Sequence, residues 1–143
     1  MRYSTPMMTK HDKYFSIISK AAEAVAPVGK QRLASILVYK NEIIAMGYNQ
    51  RKSHPFQKKY GTDEQCIYLH SEVDCIRNAL RSVSLDVLSK CTMYVYRAKH
   101  PDYQPDKYVA GLAKPCAGCQ RCIAQFGIKK VYYSTDDGSY DML

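Results

Sequence analysis

Leu69-His70-Ser71-Glu72-Val73-Asp74 and, further on, Lys114-Pro115-Cys116-Ala117-Gly118-Cys119 hold the residue types of a metal site. A neutral imidazole and two soft thiolates suit zinc, so His70, Cys116 and Cys119 would fill three corners of a tetrahedron. The fourth corner is left for water. Spacing selects these two among the six cysteines: Cys116 and Cys119, three residues apart, share one helix face. Cys122 has rotated about a third of a turn from Cys116 and is expected in the core. Pro115 is expected at the first helical position and Cys116 in the first turn, where unpaired N–H groups and the helix dipole favour a thiolate. Glu72, two residues past His70, is expected to move protons at the fourth corner and to leave the metal alone. Cys-x-x-Cys by itself equally describes a structural zinc knuckle or a redox pair; the preceding Pro and the earlier His-x-Glu favour a catalytic site.

His70-x-Glu72 followed by Pro115-Cys116-x-x-Cys119 resembles the cytidine/deoxycytidylate deaminase superfamily of zinc-dependent nucleobase deaminases. The resemblance implies an α/β fold of three layers, α/β/α, whose mixed sheet carries two zinc-ligand helices on one face. It implies one catalytic zinc ion and hydrolytic deamination of a cytosine nucleotide with ammonia released; the dispersed positive charge and the loops Ala98–Ala113 and Arg51–Lys59 at the pocket opening favour dCMP as the substrate. It also implies three substrate contacts: Asn49 at the sugar or backbone, the Ser71 backbone N–H at the base in place of the usual Ala, and Tyr132 where deaminases of polynucleotides set an aromatic beside the base. Gln50 departs from the Gly common in the deoxycytidylate branch, and Lys114 from the Glu, Ser or Thr common before the Pro. Two rival readings are deamination of cytosine or adenine within single-stranded DNA or RNA, and a zinc module without catalysis.

At 143 residues the chain suits one domain, 1–143, able to bury a real core. No apolar run reaches membrane-spanning length and Met1–Lys20 lacks a signal-peptide layout, so a cytoplasmic protein with no membrane partner is expected. In that compartment cysteines are thiols or metal ligands. The 21 Lys and Arg against 13 Asp and Glu give a formal charge of +8. Such a balance favours an anionic partner, either a small nucleotide or a nucleic acid, although dispersed charges also describe a solvated surface. A homo-oligomer is expected.

Thr9 and Asp12 approximate a capping box for a helix ending at Pro27, with Tyr14, Ile17, Ile18, Ala21, Ala22 and Val25 inward, Met7 and Met8 packing, and His11 on the surface. Leu33–Tyr39 and Glu42–Tyr48 read as a hairpin turning at Lys40-Asn41. Arg51–Tyr68 reads as a basic loop at the pocket rim, with His54 on the surface and Cys66 packing. A helix from His70 directs Val73, Ile76, Ala79, Leu80 and Val83 inward and sets Arg77 and Arg81 on the wet face, with no chemical role for Asp74 or Cys75. Cys91–Arg97 is a strand, and Ala98–Ala113, with Tyr103 and Tyr108, is a long connection suited to a lid, a substrate-selection loop, an oligomer contact or a flexible surface loop. Cys116–Phe126 is a helix stopped by Gly127, Ile128–Ser134 a strand, and Asp136-Asp137-Gly138 a turn.

Overall fold

Alternating apolar residues form the central hairpin, in which β1 (Arg32–Tyr39) pairs antiparallel with β2 (Glu42–Tyr48). Lys40 and Asn41 turn it with φ of 49° and 67°, the left-handed pair whose twist matches the flanking strands. The computed structural model describes residues 9–28, 31–53, 55–60, 68–102 and 104–143. Met7, Met8, His54, Cys66 and Tyr103 lie outside them.

β1 also pairs antiparallel with β5 (Thr92–Lys99), and β5 runs parallel to β7 (Lys130–Ser134), which pairs antiparallel with β8 (Tyr140–Met142). The sheet order is β2-β1-β5-β7-β8, a mixed sheet. Helix α1 (Lys10–Glu23) covers one face, where Tyr14 and Ile18 pack on Ile36, Val38 and Tyr94. The other face carries α3 (Ser71–Ala79) and α5 (Ala117–Gln125), whose Val73, Ile76, Cys119, Cys122 and Ile123 join Leu37, Met93, Val95, Val131 and Tyr133 in the larger core. These are the expected three layers, with both ligand helices on one side. Among the described residues no helix is long and apolar enough to cross a membrane.

The capping box on α1 is present: Thr9 Oγ1 accepts from Asp12 N–H and the Asp12 carboxylate accepts from Thr9 N–H. The helix stops at Glu23, short of Pro27, and Ile17 of the expected stripe is 36% exposed. His11 is no simple surface residue. Its Nδ1 lies 2.6 Å from the Tyr94 hydroxyl, and its ring centroid 4.3 Å from that of Tyr132.

Two expected loops contain structure. Within Arg51–Tyr68 lies α2 (Pro55–Tyr60), and β3 (Gln50–Ser53) pairs with β4 (Tyr68–Leu69). Within Ala98–Ala113, β6 (Val109–Gly111) folds back antiparallel on β5, pairing Arg97 with Gly111. A hairpin therefore leads into the ligand helix, and the irregular connection is shorter than the sequence suggests. The short helix α4 (Leu85–Ser89), capped by Ser84, precedes β5.

Gly47 decides how closely β2 approaches α3. A Cβ there would stand 2.2 Å from the Cys75 nitrogen and 2.4 Å from the Ser71 carbonyl oxygen, both backbone atoms that no rotamer change can move. Gly47→Ala is expected to destabilise the fold by about 3 kcal/mol or more, because the strand and the helix must separate. Urea unfolding measures this; a loss under about 1 kcal/mol would show that the approach is looser than described.

Candidate active site

Both ligand helices point their N-termini at one place. His70 is the N-cap of α3 and Cys116 the N-cap of α5, each with extended backbone, and the first helical bonds run from Asp74 N–H to the His70 carbonyl and from Gln120 N–H to the Cys116 carbonyl. Cys116 thus precedes the first turn and Pro115 precedes the cap, each two positions earlier relative to the helix start than expected. The favourable environment persists, since Cys116 Sγ accepts from Cys119 N–H at 3.5 Å.

His70 Nδ1 lies 3.2 Å from Cys119 Sγ and 3.6 Å from Cys116 Sγ, and the three ligand atoms lie within 4.8 Å of one another. Zinc–nitrogen and zinc–sulfur bonds at tetrahedral angles would set nitrogen and sulfur about 3.5 Å apart, so donor types and spacing both fit zinc. Among the described residues no fourth His, Cys, Asp or Glu joins the group. The hydrogen bond from the Cys119 thiol draws the Cys116 pKa down, while the same bond and burial push Cys119 up, so Cys116 is the first thiolate of the pair.

Glu72 is in the first turn of α3 and buried, yet stands outside the ligand group. Its Oε1 accepts from the Ser71 hydroxyl at 2.8 Å. Because that hydroxyl has spent its proton, the 2.7 Å contact between Ser71 Oγ and Ser35 Oγ must be donated by Ser35. Burial raises the Glu72 pKa, opposed by the charge of His70 and by the Ser71 bond. A carboxyl held this way keeps a proton more readily than an exposed one.

These groups open on a cavity of about 390 Å³, within the range of small-molecule sites. His70, Ser71, Glu72 and Cys116 line it together with Leu33, Asn49, Gln50, Leu112 and Lys114. Asn49 is buried; its Oδ1 accepts from Leu33 N–H at 2.9 Å and its Nδ2 donates to the Gln31 carbonyl at 3.0 Å. Each end of that amide keeps one further hydrogen-bonding position. Among the described Lys and Arg residues, Lys114 alone lines the cavity; Arg51, Lys52, Lys58 and Lys59 do not, contrary to the expectation for that segment.

Tyr132 is not brought to the site. Side chains alternate along β7, so Val131 and Tyr133 enter the core beneath α3 and α5 while Tyr132 faces α1, stacked on Tyr94. The base-contact role expected for it does not fit this placement. The chain instead supplies partners that the sequence did not reveal. Buried Gln57 of α2 accepts the His70 backbone N–H through Oε1 at 3.0 Å, which helps fix the ligand. Asp74 is buried and paired with Arg77 at 2.6 Å, and Arg77 is half-buried rather than on the wet face that the sequence suggested.

Two helix N-termini converge on a His/Cys/Cys set that could hold a metal ion, with an acid beside it, on an α/β/α fold. Over residues 8–135 the chain matches the cytidine and deoxycytidylate deaminase zinc-binding region, and it belongs to that family. The family's enzymes are deaminases, hydrolases acting on carbon–nitrogen bonds, and its metal is zinc. Among similar solved structures is the dCMP deaminase of cyanophage S-TIM5 in complex with dCMP and dUMP, 21% identical over 92% of this chain and 83% of that one, with a TM-score of 0.57. Its apo form is 23% identical over 85% and 82%, with a TM-score of 0.53. A cytidine deaminase from Burkholderia pseudomallei is 15% identical over 93% and 91%, with a TM-score of 0.63. At these identities the likeness is one of fold. No curated protein sequence matches the chain significantly.

Proposed function

We propose that this chain hydrolyses the exocyclic amine of a free cytosine nucleotide, with deoxycytidine monophosphate the preferred substrate, giving the uracil nucleotide and ammonia. The observation that carries the substrate choice is the cavity itself, which joins His70, Cys116 and Glu72 to buried Asn49 and, among the described Lys and Arg residues, to Lys114 alone. One basic side chain suits one phosphate. An extended strand is ordinarily met by a continuous basic groove with several stacking aromatics.

His70, Cys116 and Cys119 would hold the zinc, which supplies a Lewis acid that brings water toward ionisation at neutral pH. Glu72 takes the proton of the attacking water. Glu72 delivers that proton to the ring nitrogen, then takes the remaining proton of the added hydroxyl and passes it to the departing amine, so that a carbonyl forms as the carbon–nitrogen bond breaks and ammonia leaves. The backbone N–H of Ser71 contacts the base, Asn49 the sugar, and Lys114 the phosphate.

Lys114→Met is expected to raise KM for deoxycytidine monophosphate about tenfold or more while leaving KM for deoxycytidine nearly unchanged, since only the former carries the anion. Steady-state kinetics on the two substrates measures this. Uracil formation in a single-stranded oligonucleotide, with no ammonia from the free nucleotide, would replace this reading by the polynucleotide one.

A further inference from the structure

Asp74 lies one turn into α3 with its side chain 2% exposed, and three donors meet its two oxygens. Oδ2 accepts from the Tyr48 backbone N–H and from Gln50 Nε2, each at 3.0 Å, and Oδ1 accepts from Arg77 Nη2 at 2.6 Å. A carboxylate so far from water requires partners of this kind. Two of the three belong to the residues flanking Asn49. One carboxylate thereby ties the Tyr48–Gln50 edge of the cavity to the helix that carries Glu72 and is capped by His70.

The chemistry of this tie also sets the orientation of an amide. An ionised carboxylate only accepts, so Gln50 must turn its nitrogen to Asp74, and its carbonyl oxygen becomes the group left for another partner. Gln50 lines the cavity, and its Oε1 accepts no hydrogen bond among the described residues. We propose that Asp74 is a positioning residue for substrate: held by Asp74, Gln50 offers Oε1 as the acceptor for a sugar hydroxyl of the nucleotide. This rests on the nucleotide-deaminase reading above. It assigns a use to the Gln at position 50, where the sequence comparison with the family suggested only a departure.

The test compares wild type, Gln50→Met and Asp74→Asn on deoxycytidine monophosphate and on its analogue lacking the 3′-hydroxyl, with zinc content measured alongside. Both variants are expected to retain one zinc per chain, to raise KM for the hydroxyl-bearing nucleotide about tenfold, and to change kcat little, the loss of one hydrogen bond. Both should also shrink the KM difference between the two nucleotides, which a purely structural role would not do. An unchanged hydroxyl preference in Gln50→Met overturns the proposal, as does a folded, zinc-loaded Asp74→Asn protein with wild-type KM. Should Asp74→Asn fail to fold, Gln50→Met still decides, because Gln50 is only half-buried. A wild type that converts no nucleotide removes the underlying reading and this inference with it, a result distinct from an active wild type whose KM ignores both changes.

Discussion

Replacing Glu72 by Ala is expected to leave one zinc per chain while cutting turnover by about a thousandfold or more, the scale of a lost general acid–base group. The two effects separate because Glu72 stands outside the His70, Cys116 and Cys119 group and bonds instead to the Ser71 hydroxyl. Glu72→Gln should be equally inactive, since it keeps the volume and the acceptor for Ser71 but cannot accept a proton from water. Zinc content and single-turnover rate, measured on the same preparation, report both halves. Loss of the metal from a folded Glu72→Ala protein would show that the carboxylate belongs to the ligand set.

The other large effect is expected from the ligands. Replacing His70, Cys116 or Cys119 should remove the zinc and lower the melting temperature by about 10 °C or more, because the bound ion stabilises only the folded chain. The structural cause is that His70 caps α3 and Cys116 caps α5, so a bound metal would fasten two helices that also pack side chain against side chain. Chelation of the wild type should produce the same shift. By contrast, Cys75, Cys91 and Cys122 are buried in the apolar core, where burial pushes their thiols up, and their replacement should retain the metal. Zinc loss from Cys122→Ser with zinc retained in Cys116→Ser would show that other thiols hold the ion.

Features dictated by nearest neighbours were legible in the sequence. Thr9 and Asp12 cap a helix, Lys40-Asn41 turns a hairpin and Gly127 ends α5 at a φ of 76° because each rule involves residues a few positions apart. The ligand set was legible for a different reason, since metal chemistry admits few residue types. What stayed hidden depends on distant contacts. Helix α2 shows no apolar period and is held in part by Tyr60, whose hydroxyl donates to Gln125 Oε1 at 2.8 Å and whose carbonyl accepts from Arg121. Arg77 reads as a wet-face residue until Gly47 lets β2 settle onto α3, which leaves Asp74 buried and its partner Arg77 half-buried. Tyr132 was open to correction from the sequence itself. Period-two alternation sends it to the face opposite Val131 and Tyr133, away from the ligand helices.

The most direct measurement is ammonia release by the zinc-loaded protein across a panel of nucleosides, free nucleotides and single-stranded oligonucleotides. Release is predicted to be fastest from deoxycytidine monophosphate, with one uracil nucleotide formed per ammonia and no product from the Glu72→Ala protein. Zinc-loaded, folded protein that frees no ammonia from any member of the panel would contradict it.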